Sequence, residues 1–585
     1  MKVSRWVIFC LAALACIAPL KFGTPVIHQS ELMPPAELSQ WVFFSWPNQL
    51  LYMFVFGALL WWVLDAERLA ACVDLLFSLP LFFFATQALA ALNSINWQVT
   101  SDTLTHFGAC VLLFYAAAWY VRDGAAAGWI LCGLVLATIW VCLQALDQRY
   151  GFLLGGFEQT RQFASTYIDR STLPQDFLTR MTSNRVFAGF GGYPNALAGY
   201  LAMVFVPVLA WLWVRARSWH RGVKWVVMLF FGGLMLWCVW LTGSRGGQLA
   251  LGAAVVTALW WLLHERPAKF WLAVGLLLFA GLIVFARGRG AESFRARVDY
   301  WRGAVAIGRD HPWTGIGPGA FGSIYPKYKT ARTEEAQLAH NDYLQMWSDS
   351  GVAGFVAFAL LWMVAVRDAF RLARQRAGDA AALAICAAIA AWTIHGLFDF
   401  DLYVPGLAVP AFLFLGMLQG LKELPQLKSV TPRGRAKWIV GIACAAVASS
   451  LVWIQSRSLA ANIAYGNART FRQAAEAFRA ARLAPRNSRY QSVAGDAALH
   501  AGKFEEAIQF YRVAVQNDPC RASHHWRLAR ALATAHVLNN DALNELRQAV
   551  ALNPTNTRYR EELARAEESV RQSPGALLDS PSTKD

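Results

Sequence analysis

Over its first 455 residues the chain alternates apolar runs with shorter polar stretches. The apolar runs lie at roughly 5–20, 49–64, 70–92, 104–121, 127–146, 194–214, 223–242, 247–263, 268–286, 351–366, 380–397, 405–421 and 437–455. Each approaches the length a helix needs to cross ~30 Å of hydrocarbon. A backbone in lipid must satisfy its own N–H and C=O groups, so every run predicts a helix, and the pattern predicts a polytopic bundle of about thirteen spans. Two polar stretches are much longer than the rest, at 147–193 and 287–350.

From about residue 460 the pattern becomes helical and rich in Ala, Arg and Glu. Pro485, Pro519 and Pro554 recur at spacings of 34 and 35, which is the tetratricopeptide period. Gly495, Ala507, Tyr511, Ala514 and Pro519 occupy that repeat's small, aromatic and terminating positions in the middle unit. Trp526, Ala542, Ala549 and Pro554 do so in the third, and the first unit is off register by one residue. A generic helical hairpin tail is the other reading. Stacked repeats present a concave surface that suits a protein partner. The expected fold class is therefore all-α: a polytopic membrane bundle followed by a C-terminal α-solenoid. The last residues, with Ser573, Pro574, Ser580 and Pro581, read as disordered.

Composition agrees with this picture. The chain is 56% hydrophobic and 15% charged, with net charge +16, where a soluble domain carries about a quarter charged residues. In a multi-span protein a basic excess marks cytoplasmic loops, so it does not argue for nucleic-acid binding. Nine of ten cysteines fall in apolar runs and Cys520 has no partner within the tail, so neither a disulfide framework nor a metal-ligand spacing is present. The N-terminus resembles a signal peptide but lacks a small-x-small cleavage site, which favours an uncleaved first span. Arg215, Arg217, Arg221, Lys224, Arg266, Lys269, Arg367, Arg371, Arg374, Arg376, Lys422, Arg433, Arg435 and Lys437 fall in one alternating set of loops. That set is assigned to the cytoplasm. The 21–48 loop, the 147–193 loop, the Ser244-Arg245-Gly246 turn, the 287–350 loop, the 396–404 turn and the tail then face outward.

The outward face holds the candidate chemistry. Arg245 lies in Leu241-Thr242-Gly243-Ser244-Arg245-Gly246-Gly247, between two apolar helices. Its glycines permit close backbone approach, and the next helix points its N-terminus there, which favours an anion. An interfacial arginine touching lipid headgroups is the alternative. The 287–350 loop brings Arg287, Arg289, Arg295, Arg297 and Arg302, whose guanidinium forks match diphosphate oxygens. Its Gly315-Ile316-Gly317-Pro318-Gly319 run follows no strand, so a rigid turn is favoured over a nucleotide loop. Arg185 precedes Tyr193-Pro194-Asn195 and either joins the site or serves a helix start. His340-Asn341-Asp342 closes the loop, and His340 reads equally as catalyst or as structural residue. His395, with Asp399 and Asp401, reads preferentially as a helix end capped by carboxylates.

In this order, over roughly residues 180–420, these pieces resemble the O-antigen ligase and polymerase superfamily of bacterial inner-membrane proteins. The set runs Arg185 with Pro194-Asn195, TGSRGG, Arg297-x-x-x-Trp301, Gly315-x-Gly-Pro-Gly, His340-Asn341, and His395 with Asp399. The resemblance implies a GT-C-like glycosyltransferase, inverting and metal-independent, that needs no cofactor. It would move a glycan from an undecaprenyl-diphosphate carrier to an acceptor hydroxyl on a lipid, another glycan unit or a protein. Diphosphate charge developing in the transition state would be stabilised by Arg245 and Arg297, with Arg185, Arg302 and Asn341 binding substrate. His340 would be the general base or the orienting group for the acceptor hydroxyl, an imidazole with pKa of ~6.5 being suited to proton transfer near neutral pH. Ligase, polymerase and protein oligosaccharyltransferase share this site, so the acceptor stays open. A transporter or assembly scaffold is the competing class, but charges gather at span ends rather than mid-span. The implied organisation is N-terminal spans and first outer loop in 1–180, catalytic core in 181–425, basic linker and last span in 426–456, repeats in 457–570 and tail in 571–585. An inner-membrane location with active-site loops and repeats in the periplasm is expected.

Overall fold

The computed structural model describes residues 2–31, 38–64, 74–152, 185–275, 291–331, 333–422, 435–470, 473–535 and 540–572. Among these there is no strand. The membrane part consists of α1 (Lys2–Lys21), α2 (Asn48–Leu64), α3 (Leu75–Ala90), α4 (Trp97–Tyr120), α5 (Gly124–Tyr150), α6 (Pro194–Arg215), α7 (Arg221–Thr242), α8 (Arg245–Leu263), α9 (Ala291–Asp310), α10 (Asp342–Gln375), α11 (Ala380–His395), α12 (Pro405–Leu421) and α13 (Arg435–Thr470). Eight of these are long and apolar enough to cross a membrane: α3 to α8, α10 and α13, with 3-10 turns extending α3 and α6. α11 and α12 are shorter apolar helices. The expected span at 268–286 is helical over 267–275 and otherwise lies outside the described residues, as do Arg287 and Arg289.

Small residues set how closely these helices pack, as they must where lipid offers no hydrophobic drive between helices. Gly416 and Gly420 on α12 lie against the backbone carbonyls of Phe114 and Val121 at α4, and Gly133 on α5 lies against that of Ala12 on α1. At the end of the bundle where the basic loops gather, Lys422 Nζ bridges Asp74 (2.7 Å) and Asp368 (2.6 Å), joining the ends of α12, α3 and α10.

Two features differ from the pattern read along the chain. The long polar segment 287–350 is not irregular throughout, because α9 occupies its first part. Its apolar inner face buries Tyr300, Ala304 and Ile307 against Phe321 and Tyr325. α10 begins at Asp342, before the apolar run, and breaks at Gly351 (φ 63°, ψ −165°). There the Gly/Pro-rich segment takes over the helical bonding. Val352 N–H donates to Pro312 O (2.8 Å), Ile316 N–H to Ser348 O (3.2 Å) and Gly317 N–H to Asp349 O (2.9 Å). The buried Asp349 carboxylate accepts from Gly319 N (2.7 Å), Tyr403 Oη (2.6 Å) and Gln345 Nε2 (3.0 Å). The segment is thus a rigid turn, as its missing strand implied.

α13 runs unbroken across 456–457 into the tail, where α14 (Ala474–Leu483), α15 (Ser488–His500), α16 (Phe504–Asn517), α17 (Ala522–Ala535), α18 (Asn540–Leu552) and α19 (Thr557–Gln572) follow. Aromatic contacts link successive pairs: Tyr465 with Tyr490, Phe478 with Phe510 and Trp526 with Tyr559. The tail is docked on the membrane part. Asn462 Nδ2 donates to Gln29 O (2.6 Å) and Asn553 Nδ2 to Glu335 Oε1 (2.6 Å). Fully buried Asp518 accepts from Asn96 Nδ2 (2.9 Å) and Ser323 Oγ (3.1 Å) while pairing with Arg521 (2.7 Å).

Two outcomes follow. Gly351→Ala places a Cβ on the Trp313 carbonyl at a positive φ, so it should cost ~3 kcal/mol or more and lower the melting temperature of detergent-solubilised protein. Asp518→Ala strips partners from Arg521 and Asn96, a loss of roughly 3 kcal/mol. It should expose 473–572 to limited proteolysis while the membrane helices stay folded.

Candidate functional site

The site is organised by the seven-residue stretch from His395 to Asp401, which ends α11 and turns towards α12. Asp342 N–H donates to Gly396 O (2.8 Å), and Asn341 Nδ2 donates to Leu397 O (2.9 Å). These bonds stitch the turn to the start of α10. They also place His340 over Asp399, with Nδ1 3.0 Å from Oδ1. Arg297 Nη2 approaches Asp399 Oδ2 at 3.8 Å. The His340 ring lies nearly parallel to Tyr300 (centroids 5.6 Å apart) and edge-on to Phe400 (4.6 Å), and Trp301 Nε1–H donates to its backbone carbonyl (3.2 Å). His340 adopts φ 53°. A non-glycine residue holds that conformation only where its surroundings over-determine it, and such strain concentrates at functional positions.

Burial would raise the Asp399 carboxyl, but His340, then Arg297 and His395, outweigh it and hold it well below the usual carboxylate range. Asp399 is therefore ionised at any physiological pH. Facing Asp399 with Nδ1, His340 is held in the tautomer that carries its proton on that nitrogen. The His340 side chain keeps 19% exposure against 5% for Asp399, so the imidazole is the more accessible member of the pair.

The second half of the site lies beside it. Ser244 caps α8, its hydroxyl accepting from Gly247 N (3.2 Å), and Gly243 takes φ 61° in the turn. A Cβ on Gly247 would overlap that of Ala198, and one on Gly246 would lie 3.1 Å from Phe398 Cβ. Gly246 thus brings the N-terminus of α8 against Phe398, the residue preceding Asp399, while Gly247 seats it on Ala198 of α6; half-buried Arg245 is the first residue of that helix. Arg185 spans the same turn, donating from Nε to Thr242 O (2.6 Å) and from Nη2 to Asn195 Oδ1 (2.9 Å).

The structure gathers Arg185 and Arg245 at one turn, and Arg297 and His340 at the carboxylate next to it. Arg302 is not in this group: its side chain is 76% exposed and pairs with Asp299 (3.4 Å). Asn341 is committed on both sides of its amide, since Oδ1 also accepts from Leu344 N (2.9 Å) as the cap of α10. The reading of Asp399 and Asp401 as helix caps is corrected. Asp399 serves His340, and Asp401 takes the Nδ1 of buried His395 at 2.7 Å. A carboxylate a few residues beyond a histidine-bearing helix end can turn back on that histidine or reach another, and only packing decides which. The sequence signal for both was present, two acids four and six residues after His395.

Residues 230–359 match the family model described as O-antigen ligase. No curated protein matches the chain. The matched range contains Arg245, Arg297, Arg302, His340 and Asn341, whereas Arg185, His395, Asp399 and Asp401 lie outside it. With its apolar helices, the match supports a membrane protein of the O-antigen ligase superfamily, with a ligase-type, glycosyltransferase-like function in polysaccharide biosynthesis. At the level of the family, a lipid-linked glycan donor and an acceptor are implied.

The depressed Asp399 carboxyl has a consequence for stability. Its ionised form stabilises the fold fully above the unfolded carboxyl value of ~3.9, and that contribution is lost as pH falls towards the folded value. Asp399→Asn should lower the melting temperature by a constant amount over about pH 4–6, and the deficit should shrink below that range.

Proposed function

We propose that the protein is a periplasm-facing glycosyltransferase that moves a glycan from an undecaprenyl-diphosphate carrier to an acceptor hydroxyl, as an O-antigen ligase does. The observation that carries this reading is the Asp399 carboxylate shared between His340 Nδ1 and Arg297, beside the N-terminus of α8 that bears Arg245. His340 Nε2 takes the acceptor's hydroxyl proton as that oxygen bonds to the anomeric carbon. The bond from that carbon to the diphosphate oxygen breaks, and the diphosphate leaves with the electron pair. Attack opposite the leaving group inverts the anomeric configuration.

The leaving diphosphate needs preorganised positive charge. Arg245 and Arg297 supply it from two sides, and α8 adds its backbone N–H groups and helix dipole. Arg185 holds the Thr242-Gly243 turn that presents Arg245, which makes it a positioning residue with a second face towards the anion. No step in this scheme calls on a metal or a nucleotide sugar. The helix pairs of the tail are read as tetratricopeptide repeats on the periplasmic side, where they would receive a protein partner.

His340→Ala and Arg245→Ala are each expected to lower transfer from a lipid-diphosphate-linked glycan by ~10²–10³-fold in membranes with unchanged expression. Transfer that survives both substitutions would remove this site from the reaction.

A further inference from the structure

α9 has a second face that the site does not use. With 100° per residue, Arg295, Arg302 and Arg309 fall within about 40° of one another, forming one row along the helix. Beside that row run Phe294, Val298, Trp301 and Val305, on the side away from the buried Tyr300, Ala304 and Ile307. A groove of about 440 Å³ follows this stripe, lined by Val298, Trp301, Arg302, Val305, Ala306 and Arg309. Phe294 is 52% exposed, and Trp313, just past the helix, is 78% exposed. Arg295 and Arg309 make no ion pair among the described residues. Among the described residues Arg302 pairs with Asp299, whose other oxygen is taken by the hydroxyls of Thr330 (3.1 Å) and Thr333 (2.6 Å). Exposed aromatics are costly in water, and beside a row of cations they suit one kind of surface. An anionic headgroup layer offers phosphates to the arginines and an acyl boundary to the rings.

We propose that this outer stripe of α9 seats on the headgroup layer of an anionic leaflet. The arginine row takes lipid phosphates, and Phe294, Trp301 and Trp313 enter the acyl boundary. Arg297 lies on the other edge of the apolar stripe, and Trp301 both lines the groove and donates to the His340 carbonyl (3.2 Å). Seating α9 therefore sets the depth of His340 and Arg297 at the headgroup level, where any lipid-borne phosphate sits. The inference rests on the protein being a membrane protein and does not depend on the proposed reaction.

The test uses full-length protein in nanodiscs of equal phosphatidylglycerol and phosphatidylcholine, with the photocrosslinker p-benzoylphenylalanine at Ala306. Lipid adducts are identified by mass spectrometry, a readout that involves no glycan transfer. Phosphatidylglycerol adducts should exceed phosphatidylcholine adducts by ~5-fold or more, each arginine contributing about 1 kcal/mol near such a surface. Replacing Arg295, Arg302 and Arg309 together by Ala should bring the ratio to that of the bulk lipid, and replacing them by Lys should preserve the excess. Adducts in bulk proportion in the unsubstituted protein, or crosslinks to protein alone, would overturn the proposal. So would an excess that the Ala substitutions leave intact.

Discussion

An ionised carboxylate excluded from water must be answered by charge or by donors, and Asp399 is answered from two separate parts of the chain. His340 comes from the end of the long polar segment and Arg297 from α9, forty-three residues earlier in the chain. A buried ion with too few partners costs several kcal/mol, so the turn after α11, the start of α10 and the middle of α9 must converge. That convergence brings the histidine, the arginine and the α8 terminus into one place. The same interaction orients the imidazole.

A second constraint supports the first. Gly351 breaks α10, and the Pro312–Gly319 turn supplies the missing hydrogen bonds, so the loop that leads to His340 is held as firmly as a helix. Beyond that turn, Ser323 reaches Asp518 in the tail, and Asn96 at the cap of α4 reaches the same carboxylate. The tail is thereby coupled through one polypeptide segment to the loop that carries His340. At the opposite end of the bundle Lys422 meets a different carboxylate pair, Asp74 and Asp368. Each end of the bundle is closed by its own ionic contacts.

Much of the fold was legible because its signals are local. Apolar length marked the helices of the membrane part, and the spacing of Pro485, Pro519 and Pro554 marked the helix pairs of the tail. Gly243, Gly246 and Gly247 pointed to close approach around Arg245, which is what they provide. The helix at 291–310 was harder to see, because Arg295, Arg297 and Arg302 dominate it and its apolar face is divided between an inner and an outer stripe. Arg302 and Arg297 look equivalent along the chain, yet they stand on different sides of that helix. The kink at Gly351 falls at the first residue of an apolar run, where the helix continues on both sides and local pattern marks no break.

The sequence by itself determined the helices, the alternation of basic and less basic loops, and which residues were available for anion and proton chemistry. These follow from hydrophobic length, charge and residue type, all of which act over a few neighbouring positions. Tertiary structure decided which acid serves which histidine. Asp399 lies four residues from His395 but pairs with His340, fifty-nine residues away, while Asp401 folds back on His395. Both acids carry the same charge on the same turn. The backbone direction through that turn and the burial around it select the partner, and neither is encoded within reach of a local pattern.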